Sequence, residues 1–430
     1  MTKFQKVIGE IEVNRELVFL LVIGGLYSLG ISLSNTFVNV YLWKQTGDFK
    51  DLGIYNLAVV IFQPLTFILA GWLAKKIDRV IVLRLGVLFL SVFYICVLSI
   101  GQQANEFLFL LGALLGIGYG FYWLAFNVLT FEITEPETRD FFNGFLGILT
   151  SSAGIIGPIV AGAVISRFIN NTGYNVIFTI SLLLFVAAVF LSMALNRRPA
   201  HGMYVVKKVL AERKRDKNWR LITYAHFFQG LREGTFAFVI GIFVYITSGS
   251  ELALGTFGLV NSAVAFIAYY FASRLIKKNM RKRAILIGGI ILYFSLFIIM
   301  MKMSFPNLLL YAVCIAVAYP LLLVPYVSLT YDVIGRAWNA AEARIEYIVV
   351  RELYLNSGRI VSLLLFIAAV SLFNQKYSLP VLLAIVGAGH SLIYFCVRGI
   401  FLPESEEAIE KDNRPNTVTE SNLLDGENGT

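Results

Sequence analysis

Long apolar runs alternate with short polar breaks from one end of the chain to the other. Each run approaches the roughly 20 residues that a helix needs to cross a hydrocarbon core. Twelve such runs predict twelve helices, at 18–43, 52–74, 81–101, 107–131, 142–166, 174–195, 222–247, 253–275, 284–303, 307–331, 347–372 and 379–401. The longest polar break, 196–220, leaves six on each side. The pattern predicts an all-α membrane protein with an N-terminal six-helix bundle over 1–196, a basic linker over 197–220, a C-terminal six-helix bundle over 221–402 and an acidic tail over 403–430. The linker is basic enough to lie as an amphipathic helix along a leaflet. The tail is polar and without periodicity, so disorder is expected there.

Composition agrees with the pattern. Hydrophobic residues make up 58% of the 430 and charged ones 15%, with mean hydropathy +0.74. A soluble domain carries about 25% charge. The net charge of +9 is no sign of a nucleic-acid partner, because of where it sits. Lysine and arginine collect in "AKKIDR" (74–79), "NRRPAHGMYVVKKVLAERKRDKNWR" (196–220) and "IKKNMRKR" (276–283), which all fall on one side of the predicted membrane. The positive-inside rule then puts that side, and both termini, in the cytoplasm of a multi-pass cell-membrane protein. The first apolar run is longer than the core of a signal peptide. Cys96, Cys314 and Cys396 lie within apolar runs at no metal-like spacing, so neither metal nor cofactor is expected. No phosphate-binding Gly-x4-Gly-Lys-Ser/Thr loop, HExxH, paired histidines or nucleophile elbow occurs, which argues against an ATP-driven pump and a membrane enzyme.

The two halves repeat each other. "NVLTFEIT" (127–134) and "VSLTYDVI" (327–334) stand 200 residues apart, as do Tyr119 and Tyr319. "GWLAKKIDR" (71–79) matches "SRLIKKNMR" (273–281) after the second run of each half, and "GLYSLG" (25–30) matches "GLREG" (230–234) in the first. Duplicated parallel repeats are one way to build a secondary transporter, with the solute site between them near the midplane.

Three motifs extend this. Gly71, Leu73, Ala74, Lys76 and Arg79 fit a Gly-x-Leu-Ala-Asp-Arg-x-Gly-Arg signature after the second run, with Lys75 in place of its Asp and Asp78 in place of its Gly. Gly112, Gly116, Gly118 and Gly120 punctuate the fourth run, and Gly157, Pro158, Ala161 and Gly162, preceded by Ala153, the fifth. On these residues the chain resembles the major facilitator superfamily over about 15–402, and within it the uncharacterised transporters of Gram-positive bacteria. The resemblance implies two pseudo-symmetric six-helix bundles, alternating access and a cavity lined by spans 1, 4, 7 and 10. It also makes Gly157, Pro158 and Gly162 a helix-packing motif of the kind common in antiporters.

Candidate site residues follow from helical faces. A helix turns about 100° per residue, so Ser28, Ser32, Asn35 and Asn39 share one face, His226, Gln229 and Glu233 another with Arg232 at its border, and Glu352, Asn356 and Arg359 a third. Glu233 lies about 11 residues into its run, near the middle of a core of about 30 Å. A charge there costs from about 2.5 kcal/mol upward and needs water or a partner. Dehydration favours the neutral acid and a nearby arginine the carboxylate. Three roles stay open for Glu233: proton coupling with Arg232 or Arg359 as counter-charge, a permanent lock to an arginine, or contact with solute. Arg351–Glu352 reads as a structural pair and His226 as an interfacial histidine. The resemblance adds cavity candidates: Tyr27, Asn35, Asn39, Tyr119, Tyr122, Trp123, Asn127, Gln229, Tyr319 and Tyr326, with Gln63 and Asn261 on neighbouring spans. Glu132 and Asp332 end the fourth span of each half, and Arg79 and Arg281 follow the second. Arg79–Glu132 and Arg281–Asp332 are therefore expected to form paired cytoplasmic gates.

The expectation is a monomeric secondary active transporter for a small organic solute, coupled to protons and directed toward efflux rather than uptake, with membrane lipid as its other partner. A lipid or glycolipid flippase of the same fold, or a membrane sensor without transport, remains the alternative.

Overall fold

The computed structural model describes residues 15–133, 136–169, 171–197 and 202–402. The acidic tail falls outside them. Among the described residues, twelve helices are long and apolar enough to cross a membrane. Spans 1 to 6 are Arg15–Thr46, Phe49–Lys76, Arg79–Ile100, Gln103–Thr130, Phe145–Arg167 and Thr172–Met193. Spans 7 to 12 are Lys217–Ser248, Glu251–Leu275, Lys278–Met301, Phe305–Arg336, Arg344–Leu372 and Gln375–Val397. Several start earlier than the apolar runs because polar caps carry the helix beyond the hydrocarbon. Asp48, Asp78, Asp216 and Ser250 each accept hydrogen bonds from the first free backbone N–H groups of spans 2, 3, 7 and 8.

The linker differs from the expected surface helix. Span 7 already begins at Lys217, and only Val206–Glu212 forms a separate short helix. That helix is fastened to the bundle: Val209 is fully buried and its carbonyl accepts from Trp219 Nε1 at 3.2 Å. Arg213 adds bonds to the Thr223 and Tyr354 hydroxyls. An apolar anchor and a fixed guanidinium override the tendency of a basic helix to float on lipid.

Packing repeats from half to half. Span 1 packs on spans 5 and 6, span 2 on span 4, and span 3 on spans 4 and 6; span 7 packs on 11 and 12, span 8 on 10, and span 9 on 10 and 12. Even an end-cap repeats. Arg84 of span 3 donates to the Ser192 and Leu195 carbonyls at the end of span 6, and Lys282 of span 9 donates to the Arg398 and Ile400 carbonyls beyond span 12. A cation at a helix C-terminus satisfies orphan carbonyls and opposes the helix dipole.

The halves meet along two seams, span 2 on span 11 and span 5 on span 8, with span 1 touching span 7 between them. The 5–8 seam is set by absent side chains. A Cβ on Gly162 would lie 2.5 Å from the Glu251 carbonyl oxygen, and one on Gly255 2.4 Å from that of Pro158. Gly157 faces span 1 instead, where a Cβ would lie 2.6 Å from that of Ser32.

The basic end of the 2–11 seam carries a buried ion pair. Lys75 Nζ lies 2.7 Å from Glu346 Oε1 and donates to the Glu342 carbonyl at 2.6 Å. The Glu346 side chain is wholly buried and also accepts from the Val205 backbone N–H at 3.0 Å. The linker closes over the pair: Gly202 N–H donates to the Lys75 carbonyl, and Tyr204 donates to the Ile68 carbonyl at 3.1 Å. Burial, aided by the Glu346 carboxylate, holds the Tyr204 phenol above its ordinary pKa, so it stays a neutral donor.

Removing one member of such a pair strands the other. Lys75→Met should cost about 3–5 kcal/mol, while Lys75→Met with Glu346→Leu should recover most of it. Thermal unfolding in detergent checks this; a double variant as unstable as the sum of the singles would refute the pairing.

Candidate functional site

A cavity of about 900 Å³ lies between the halves. That is near the upper end of the volumes that hold small organic ligands. Its two walls differ in chemistry. The N-terminal half contributes neutral polar groups: Ser32, Asn35, Asn39, Asn56, Gln63, Tyr119, Trp123 and Asn127. The C-terminal half contributes Arg232, Glu233, Arg351, Glu352 and Arg359, with Asn261, Tyr311 and Tyr319.

The neutral wall is internally bonded. Asn56 Nδ2 donates to Asn39 Oδ1 at 2.9 Å, Asn39 Nδ2 to the Asn35 carbonyl at 3.3 Å, and the Tyr119 hydroxyl to Asn35 Oδ1 at 3.2 Å. These bonds fix amide orientation and leave part of each amide's capacity for a solute. Trp123 lies against Tyr27, ring centroids 5.3 Å apart and edge-on.

The charged wall is built on spans 7 and 11, whose backbones nearly touch. A Cβ on Gly230 would stand 1.9 Å from the Leu355 carbonyl oxygen, and one on Gly358 2.0 Å from that of Phe227. This approach brings Glu233 and Arg359 together near mid-helix. Arg359 Nη2 and Nε donate to Glu233 Oε2 at 2.6 and 3.2 Å, and Gln229 Nε2 donates to Oε1 at 2.8 Å. Arg359 Nη1 also donates to Asn356 Oδ1 at 3.2 Å. Arg351 Nη2 lies 2.9 Å from Glu352 Oε1.

Some expected lining residues are elsewhere. Tyr122 is 1% exposed and stacks on Tyr27, ring centroids 3.8 Å apart, because the aromatic pair fills the space between spans 1 and 4. Tyr326 is fully buried, its hydroxyl 2.7 Å from His226 Nδ1 between spans 7 and 10. Gln229 supports Glu233 from behind the wall. Ser28 turns inward to the Gly24 carbonyl at 2.8 Å. Helical phase alone places a residue on a face but does not tell cavity from packed interface.

At the basic end the two repeated charge pairs close in both halves. Arg79 Nε lies 2.7 Å from Glu132 Oε1, and Arg281 Nη1 2.6 Å from Asp332 Oδ2. Each pair stays within its own half. The contact that crosses the cleft there is Lys75–Glu346, and at the opposite end it is Lys44–Glu251 at 2.9 Å, with the Tyr174 hydroxyl donating to the same carboxylate oxygen at 2.9 Å. Both were missed in the sequence. The one available signal was Lys75 standing in the place of an acid; nothing local pointed to its partner 271 residues away.

A family model described as Major Facilitator Superfamily matches residues 20–341. "Uncharacterized protein YqgE" of Bacillus subtilis (strain 168) is 64% identical over 430 residues, 99% of this chain and 100% of that protein. "Uncharacterized protein in sodM 3'region" of Geobacillus stearothermophilus is 68% identical over 178 residues, 41% of this chain and 83% of that one. Among solved structures, the human organic anion transporter MFSD10 (TETRAN) superposes with a TM-score of 0.65 at 13% identity, over 90% of this chain and 100% of that one. A bacterial homologue of the iron transporter ferroportin, in its inward-facing state, gives 0.66 at 17% identity over 89% and 97%. At such identities the likeness is one of fold.

Close backbone approach makes a test of the charged wall. Gly358→Val should force spans 7 and 11 apart, an overpacking cost of about 1–3 kcal/mol or more, whereas Gly335→Val, where a Cβ would meet nothing within 4 Å, should cost far less. Comparing the two unfolding temperatures decides it; equal losses would mean that the 7–11 contact is not tight.

Proposed function

The chain belongs to the major facilitator superfamily, and from that footing we propose that it is a proton-coupled secondary transporter that moves a small organic solute out of the cell by alternating access. The observation that carries the reading is the Glu233–Arg359 pair, set near mid-helix in the wall of the cavity between the two halves. In this reading the basic end faces the cytoplasm, and the solute rests between the neutral and charged walls.

Coupling works by competition for Glu233. With Glu233 ionised, Arg359 and Gln229 hold it and the charged wall is rigid. A proton on Glu233 removes the charge that Arg359 balances and frees the guanidinium. Binding that depends on the free guanidinium then rises or falls with protonation, and the halves rock with the cavity in one loaded state or the other. Arg79–Glu132 and Arg281–Asp332 act at the cytoplasmic face as gates. The first ties the start of span 3, four residues after Lys75 of span 2, to the end of span 4. A partly exposed pair contributes only about 0–1 kcal/mol, so each can open and close by a shift of span ends within its own half during a cycle.

Reconstituted in liposomes, the protein should show solute flux driven by an imposed pH gradient, read as pyranine-detected proton movement when solute is added. Glu233→Gln should abolish gradient-driven flux while solute exchange at equal pH persists. Accumulation against a gradient by Glu233→Gln would end the coupling role. Lipid headgroup movement in place of solute flux would favour a flippase.

For the gates, Arg79→Glu and Glu132→Arg should each lower transport at least tenfold, and the combined exchange should restore part of it. A combined variant no better than the singles would argue against direct pairing.

A further inference from the structure

The charges of the cavity wall do not cancel. Three arginines and two glutamates line it: Arg232, Arg351, Arg359, Glu233 and Glu352. Arg359 takes Glu233, and Arg351 takes Glu352. Arg232 is left over. It is 1% exposed, near the middle of span 7, and no carboxylate pairs with it among the described residues. Its Nε has no hydrogen-bond partner there.

The direct partners of its guanidinium are neutral. Nη1 donates to the Tyr319 hydroxyl at 3.0 Å and Nη2 to the Tyr311 hydroxyl at 3.3 Å. The Phe236 and Tyr319 rings lie 4.4 and 5.4 Å from Cζ. His390 of span 12 sits edge-on to Tyr319 at 5.3 Å, with neither ring nitrogen bonded among the described residues. Aromatic faces and hydroxyls ease the burial of a cation but do not neutralise it.

The two tyrosines make this a built site. Each hydroxyl accepts from the guanidinium, so its own proton remains to be donated. A full positive charge behind the oxygen makes each a stronger donor. Both tyrosines and Arg232 border the cavity, Tyr319 half-buried and the other two covered at its wall. An anionic group at that wall would thus meet two O–H donors backed by a cation that no carboxylate pairs directly, while the amides of Asn35, Asn39 and Asn56 offer bonds to uncharged polar groups across from it.

We propose that Arg232, with Tyr311 and Tyr319, binds the anionic group of the transported solute, so that the substrates are organic anions carrying a carboxylate, sulfonate or phosphonate. The assignment rests on the transporter reading and names its substrate class. The phosphate of a lipid headgroup offers the same chemistry and is a second source for it.

Thermal unfolding of the full-length purified protein tests it with benzoate, benzenesulfonate and phenylphosphonate against benzamide and benzylammonium, and separately with added phosphatidylglycerol. At least one anion, or the anionic lipid, should raise the unfolding temperature saturably, and the neutral and cationic analogues should not. A response to the small anions identifies a soluble solute, and a response to the lipid alone identifies a headgroup. Arg232→Gln should abolish the shift and Arg232→Lys keep part of it. Tyr311→Phe with Tyr319→Phe, which keeps the cation, should weaken anion affinity by about tenfold, the scale of two hydrogen bonds. No shift with any anion, an equal shift with benzamide, an undiminished shift in Arg232→Gln, or an undiminished affinity in the double phenylalanine variant would overturn the proposal. Liposome flux separates the two readings. Anion binding without flux leaves the site standing and removes the transporter; flux of benzamide that ignores Arg232 does the reverse.

Discussion

A charge placed in hydrocarbon needs an opposite charge or a polar cavity, and in this protein the ion pairs form where helices meet. Lys75–Glu346 joins spans 2 and 11, Lys44–Glu251 joins spans 1 and 8, and Glu233–Arg359 joins spans 7 and 11. Span 11 takes part in two of these pairs. Its first turns hold Glu346 against the other half, its middle carries Arg351, Glu352 and Arg359 into the cavity, and Phe366 near its far end packs edge-on to Phe49 of span 2 at 6.3 Å. One helix therefore forms part of the seam along its length and part of the cavity wall between.

The fold was legible because hydrophobic length is a physical measure of the membrane. Each of the twelve apolar runs corresponds to a helix. The errors lie at the ends, where Asp48, Asp216 and Ser250 cap helices in polar surroundings that hydropathy reads as loop. The duplication was also legible, since it was written in short matches at equivalent positions, and Arg84 and Lys282 cap corresponding helix ends that no sequence match had indicated. The linker was less so. Its basic residues suggested a surface helix, but Val209 and Trp219 decide its place through tertiary contacts that lie outside any local pattern.

At the site, periodicity put Glu233 and Arg359 on inward faces of their own helices but left open which arginine Glu233 would meet. That choice is made by Gly230 and Gly358, which let spans 7 and 11 approach until the Arg359 guanidinium reaches the carboxylate. Arg232, one residue from Glu233, points to Tyr311 and Tyr319 instead, because successive residues on a helix face about 100° apart. Tyr122 and Tyr326 illustrate the opposite failure. They lie on helices that line the cavity, yet their rings fill gaps between helices of the same half. Lys75 and Glu346 could not be matched from sequence because a long separation offers no register to read.

The ion pairs fall into two kinds, and the difference bears on how such a protein cycles. Lys75–Glu346 and Lys44–Glu251 each cross between halves, at opposite ends. If the halves rock as rigid bodies, opening one end strains the pair there and relieves the other, so these contacts respond to geometry. Glu233–Arg359 lies within one half, on two helices whose backbones are in contact. Rocking leaves it intact. Only a proton, a solute or a competing charge can alter it, so it responds to chemistry. The two geometric latches are also unequal: Glu346 is fully buried, whereas Lys44 keeps a third of its side chain in contact with solvent. Opening the basic end returns a buried carboxylate and its partner to water, so the Coulombic loss there is offset by regained hydration, whereas the half-wet Lys44–Glu251 pair has less hydration to regain.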